Sequence, residues 1–246
     1  MMDTPKIALV TGAAGVLGKA IAQCLVDEGM KVVVADIAQE PLEALSQELP
    51  GETYPIAFDI SDPEHVDVAM KKIAKEFGEI DVLVNNAGIL SNNKAEATTP
   101  EEWQRVMQVN LNGAFYLSRA VLPAMKKKRW GRIVNTTSLA AKTGGITAGT
   151  AYSTSKGALI ALTFSLAAET AAYGITVNGI APAYVKTPMV MEQLTEEQRQ
   201  VLLEKIPVKR FCEPEECAYV VKFLVNPLAG FITGEIIDQN GGLMFD

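Results

Sequence analysis

The chain has 246 residues, 48% of them hydrophobic and 21% charged, with a formal charge of −7. That balance is ordinary for a soluble globular protein, and the length sits at the upper end of what one core organises, so one domain over 1–246 is expected. A basic face for displacing counterions from nucleic acid is lacking, and no apolar run is long enough to span a bilayer, so neither partner is expected.

Residues 1–6 carry Asp3 and run straight into an apolar strand, unlike a signal peptide. Cys24, Cys212 and Cys217 are odd in number and lack paired ligand spacing. They read as reduced thiols without a chemical role, which points to the cytoplasm and to no metal site.

The first strand is the β-rich run 7–10, and 16–28 then has helical periodicity. Between them lies Thr11-Gly12-Ala13-Ala14-Gly15-Val16-Leu17-Gly18. Glycines after a strand and before a helix close the turn tightly and let backbone amides approach a pyrophosphate. A second strand, 31–35, ends at Asp36, eighteen residues after Gly18. A carboxylate there accepts hydrogen bonds from adenosine ribose hydroxyls and repels a 2′-phosphate, so NAD is expected over NADP. Lys19 is the only nearby cation, and it lies past the turn.

A helix over 40–48 and a strand over 53–58 follow. Ser61-Asp62-Pro63-Glu64 opens the next helix, with Ser61 read as its cap. The fourth strand, 82–84, leads into Asn85-Asn86-Ala87-Gly88. Thr99-Pro100-Glu101-Glu102 opens a long helix ending near 126–129. Inside it, Val109-Asn110-Leu111-Asn112-Gly113 is rich in poor helix formers and predicts a local irregularity. The fifth strand, 133–135, leads to Ser138; 152–172 is helical, with Tyr152 and Lys156 four apart on one face. Strand 176–180, helix 214–224 and strand 235–238 complete the pattern.

Strands that are apolar on both faces and alternate with helices predict an α/β fold: a Rossmann-type, doubly wound parallel sheet of about seven strands with helices on both faces. The stretch 187–210, between Pro188 and Pro207 at its ends, is expected to be an insertion covering the substrate.

With Ser138, Tyr152 and Lys156, Asn110, the Asn86-Ala87-Gly88 run and the glycine turn together, the sequence resembles the short-chain dehydrogenase/reductase family, in its compact branch, from about residue 6 to 242. The resemblance implies that Tyr152 is the general acid/base, Lys156 holds the ribose and lowers the tyrosine pKa, and Ser138 binds the substrate oxygen. It implies that Asn110 fixes a relay water. Gly12, Gly15, Leu17 and Gly18 would hold pyrophosphate, Asp59 and Ile60 the adenine, and Asn86, Ala87 and Gly88 the adenosine ribose. Pro182, Val185 and Thr187 would cup the nicotinamide. A homotetramer is implied as well.

This chain departs from the family pattern in three places. Gly12, Gly15 and Gly18 are evenly spaced by three, a form more typical of the longer-chain branch. Ala183 stands where glycine is usual. Ser138 and Tyr152 are fourteen apart, where thirteen is common.

The function expected from these residues is NAD-dependent hydride transfer between nicotinamide and a small polar secondary alcohol or ketone. The alternative is reduction of a 3-ketoacyl or acetoacetyl thioester with NAD(P)H. A nucleotide-sensing protein without turnover is disfavoured by the intact Ser138, Tyr152, Lys156 and Asn110 set.

Overall fold

The computed structural model describes residues 5–187 and 195–245. Pro188 and the rest of 188–194 therefore lie outside the described residues.

Seven strands form one parallel sheet in the order β3-β2-β1-β4-β5-β6-β7. They are β1 Ile7–Thr11, β2 Lys31–Asp36, β3 Thr53–Ala57, β4 Val82–Asn85, β5 Gly131–Thr136, β6 Ile175–Pro182 and β7 Ile236–Gln239. Side chains alternate between the two faces of each strand. Ala8 and Val10 therefore pack with α1 (Val16–Asp27), α2 (Gln39–Glu48) and α9 (Pro214–Val225). Leu9 packs on the other face with α3 (Pro63–Glu76), α5 (Gly113–Lys128) and α7 (Thr150–Thr170). Both faces are covered, which is why the central strands β1 and β2 read as nearly continuous apolar runs. Chain order reverses between β1 and β4, so the strand ends splay there and open a crevice.

The expected irregularity in the long helix is a π-helical turn, Gln108–Asn112, between α4 (Pro100–Met107) and α5. It turns Asn110 inward, where it is 1% exposed. One expected cap is displaced by a single residue. Asp62 caps α3 by accepting the Glu64 and His65 N–H groups, while the Ser61 hydroxyl donates to Asp59 at 2.6 Å. A carboxylate is the stronger acceptor at the positive helix end.

Sequence patterning does not name the partners in a buried polar ladder that fastens α5 and α7 to the sheet. Asn85 Nδ2 donates to Asn135 Oδ1 at 2.8 Å and to Ser118 Oγ at 3.3 Å; Asn135 Nδ2 donates to Thr163 Oγ1 at 2.8 Å. All four residues are buried. Bonds in that medium are directional and costly to leave unmade, so they fix where α7 lies along β5.

Candidate active site

The crevice at the β1/β4 reversal has a volume of about 840 Å³. Every residue expected at the cofactor lines it: Gly12, Gly15, Leu17, Gly18, Asp36, Asp59, Ile60, Asn86, Ala87, Gly88, Pro182, Val185 and Thr187, together with Tyr152 and Lys156. Ser138 lines it too, whereas Asn110 lies behind the wall.

The three glycines of the turn are there for different reasons. Gly12 has φ +65° and approaches β4 so closely that a Cβ would lie 2.8 Å from the Ala87 Cα. At Gly18 a Cβ would lie 2.0 Å from the Gly12 carbonyl oxygen, so no side chain fits. Gly15 has room for a Cβ. It is the N-cap of α1, with no side-chain cap and no acidic residue in the helix's first turn. The positive helix end is thus left to the crevice, as an anion site requires.

Asp36 accepts the Ala14 N–H at 3.1 Å and the Ile37 N–H at 2.7 Å. This holds the carboxylate at the rim beside the glycine turn. Lys19 pairs with Glu48 and does not line the crevice. Asn86 Nδ2 donates to the Thr11 carbonyl at 3.0 Å, and the Thr11 hydroxyl accepts the Asn86 and Ala87 N–H groups at 3.1 Å. The Asn86–Gly88 loop is thereby tied to β1. A bare helix end, a rim carboxylate and a buried ammonium match the phosphate, ribose and nicotinamide ends of a dinucleotide, so the residues present fit this cofactor.

Tyr152 sits in the first turn of α7 and hydrogen-bonds Ser138. Burial raises the phenol's pKa, and the Ser138 bond works against that rise. Ser138 also accepts the Ala140 N–H at 3.1 Å, which orients its hydroxyl. Between Ser138 and Tyr152 the chain turns at Gly144 and Gly145, with φ of +72° and +80°, just after α6 (Ala140–Thr143). Ser138 stays in contact with the phenol.

Lys156 is one turn along, 3% exposed, with its ammonium 5.7 Å from the Tyr152 ring centroid and donating to the Thr136 carbonyl at 2.7 Å. Burial pulls its pKa down to about 8. The unfolded value is about 10.4, so between the two the unfolded chain holds more protons and folding stability rises with pH. The ammonium is therefore a cost to the nucleotide-free fold at neutral pH. Lys156→Met should melt a few degrees above the parent at pH 7, with the gap closing toward pH 10. Paired melting curves check this, and a gap that widens with pH refutes it.

Asn110 accepts the Ile89 N–H at 2.8 Å and donates to the Ile89 carbonyl at 2.9 Å and to Ser155 Oγ at 3.0 Å. It braces the loop after β4 against α7. A Cβ on Gly88 would lie 3.2 Å from Asn110 Oδ1 and 3.3 Å from Lys156 Nζ, so the two groups flank one small space.

Beyond Ser138 and Tyr152 opens a second cavity of about 410 Å³, lined by Leu90, Leu139, Ile146, Ala148, Tyr184 and Gln198 among others. Its wall depends on Lys94, a residue the motif reading passed over. The Lys94 ammonium donates to the Gly145 and Ala148 carbonyls at 2.8 and 2.7 Å. The Gly149 and Thr150 N–H groups donate back to the Ser91 and Asn93 carbonyls. Lys186, at the border of the crevice, pairs with Glu213 at 3.1 Å.

A family model described as enoyl-(acyl carrier protein) reductase matches residues 12–244. The 3-oxoacyl-(acyl-carrier-protein) reductase FabG of Vibrio cholerae is 41% identical over 97% of both chains. Its counterpart from Thermotoga maritima is 38% identical over 97% of this chain and 98% of its own. Among solved structures, NAD⁺-bound xylitol dehydrogenase aligns with a TM-score of 0.90 and 33% identity, covering 96% of this chain and 98% of that one. The chain belongs to the short-chain dehydrogenase/reductase family and is an NAD(P)-dependent oxidoreductase.

Proposed function

We propose that the protein reduces the ketone of a 3-oxoacyl thioester, using NADH in preference to NADPH. The observation that carries the reading is the cavity facing Tyr152 and Ser138: no described residue lining it bears a charge. Such a wall suits a neutral acyl chain and, among the described residues, offers no cation to the carboxylate of a hydroxy acid. Full-length identity of about two residues in five to 3-oxoacyl-(acyl-carrier-protein) reductases supports the same choice. It reverses the order expected from the sequence, where a small polar alcohol came first.

The chain's own groups have defined tasks in this reading. Ser138 and the Tyr152 hydroxyl donate hydrogen bonds to the ketone oxygen, and Tyr152 gives up its proton as charge builds there. The buried Lys156 ammonium favours the resulting phenolate. Bound nicotinamide supplies the hydride. Asn110 keeps the loop after β4 and the start of α7 in register, and the space it shares with Lys156 suits a relay water.

Asp36 favours NADH, because a 2′-phosphate would meet a carboxylate that no cation among the described residues pairs with. The described part of the expected insertion, residues 195–210, acts as a cover: α8 (Glu196–Lys205) brings Gln198 to the cavity, and Leu202 and Ile206 pack on Phe211 and Tyr184.

A second reading, oxidation of a small polar secondary alcohol with NAD⁺, draws support from Asp36 and from the likeness to NAD⁺-bound xylitol dehydrogenase. Acetoacetyl-CoA and a panel of polyols, each run with both nucleotides and followed by NADH absorbance, separate the two. The proposal expects kcat/KM for the thioester to exceed that for any polyol by at least about tenfold, a difference of about 1.4 kcal/mol. The reverse order would overturn it.

Two exposed apolar faces, Phe115 with Phe164 and Tyr219 with Phe223, Leu228 and Phe231, support a homotetramer built on two dimer contacts. Light scattering should give four chains. No helix among the described residues is long and apolar enough to cross a membrane.

A further inference from the structure

The two C-terminal cysteines, unremarkable in sequence, are brought together. Cys212 Sγ lies 3.7 Å from Cys217 Sγ, close enough for a thiol hydrogen bond. Cys212 precedes α9 and is half-buried on the wall of a separate cavity of about 280 Å³, which also exposes Arg210 and Glu216. Cys217 lies one turn inside α9 and is fully buried. Arg210 pairs with Glu216 through both guanidinium ends, at 2.5 and 2.7 Å, beside the outer sulfur. Either sulfur can donate in this contact, which lowers the Cys212 pKa and raises that of Cys217, and the Cys212 thiol also donates to the Glu213 carbonyl at 3.5 Å. One sulfur is thus reachable, the other sheltered behind it.

The backbone of Cys212 is tied to the nicotinamide loop. Its N–H donates to the Tyr184 carbonyl at 2.9 Å, and its carbonyl accepts the Lys186 N–H at 2.8 Å, a one-residue parallel bridge to Val185. Val185 and Thr187 line the crevice.

We propose that Cys212 and Cys217 form a peroxide-reactive dithiol whose closure into a disulfide strains the loop that holds the nicotinamide end of the cofactor. The Cys212 thiolate attacks one oxygen of hydrogen peroxide and the O–O bond breaks. This leaves a sulfenic acid on Cys212, and the departing hydroxide is protonated to water. The Cys217 sulfur then attacks the Cys212 sulfur. The S–S bond forms, the S–O bond breaks, and the hydroxide leaves as a second water with the Cys217 proton. Two thiols are oxidised and one peroxide is reduced. A disulfide needs about 2.05 Å between sulfurs, so the pair must close by more than 1 Å. Cys217 is anchored in the core, so Cys212 is the residue that moves, and Val185 with it.

The test uses the full-length protein exposed to hydrogen peroxide, then alkylated and digested with trypsin. Residues 211–222 fall in one tryptic peptide that holds both cysteines. That peptide is expected to lose two hydrogens in mass and refuse alkylation, with dithiothreitol restoring both thiols. Cys212→Ser should abolish the product, and Cys24→Ser should leave it intact. NADH titration by fluorescence should show affinity weakened several-fold by peroxide in the parent and unchanged by it in Cys212→Ser. A peptide that stays fully alkylatable, or a disulfide that forms without any loss of affinity, would overturn the proposal. The mass readout does not depend on substrate or nucleotide choice, so it stands apart from the functional reading above.

Discussion

Tyr152→Phe should lower kcat for ketone reduction by about 10²–10⁴-fold, the usual worth of a positioned proton donor. NADH affinity should stay within about threefold of the parent, because the ring that lines the crevice is kept while only the hydroxyl is lost. The Ser138 hydroxyl would lose its partner but keep its bond from the Ala140 N–H at 3.1 Å, so the α6 end of the site should hold its shape. Stopped-flow reduction under single-turnover conditions, alongside a nucleotide titration, gives both numbers. Near-parental turnover in the variant would mean that some other group donates the proton, and the acid/base role of Tyr152 would fall.

The second large effect concerns nucleotide choice. The Asp36 carboxylate is held in place by the Ala14 and Ile37 N–H groups, and among the described residues no cation pairs with it. Bringing like charges together in such a site costs several kcal/mol, which corresponds to a preference for NADH over NADPH of about 10²–10³-fold in kcat/KM. Asp36→Ser should erase most of that ratio, by weakening NADH and relieving NADPH together. Steady-state rates with each nucleotide, in parent and variant, decide it. A parent that favours NADPH would sink the account of Asp36.

Much of this architecture can be read from residue order. β1, β2, β4, β5 and β6 are apolar on both faces, so their place in a covered parallel sheet follows from composition alone. Asn110 marked its own irregularity, because four of the five residues 109–113 are poor helix formers in an otherwise good helix. Other features depend on contacts distant in the chain. Asn85 and Asn135 are fifty residues apart, and only the pairing of β4 with β5 makes them neighbours. Their signal was a polar side chain inside a buried strand, which demands a partner but does not name it. The Cys212–Cys217 contact was hidden by a spacing of five, which on a straight helix would place the sulfurs on different faces; it arises because the chain bends into α9 between them. The substrate wall was least legible, since residues 90–94 and 139–150 have no periodicity and are shaped by each other.

Lys94 reaches across that wall and grips it by two main-chain oxygens, at residues 145 and 148, leaving Ile146 and Thr147 ungripped between them. A latch on peptide groups is blind to what side chains they carry. Positions 146 and 147 are therefore free to drift in size and polarity without the segment losing its course. A lineage could change its clientele there by ordinary point mutation, keeping hinge and frame while the upholstery is replaced.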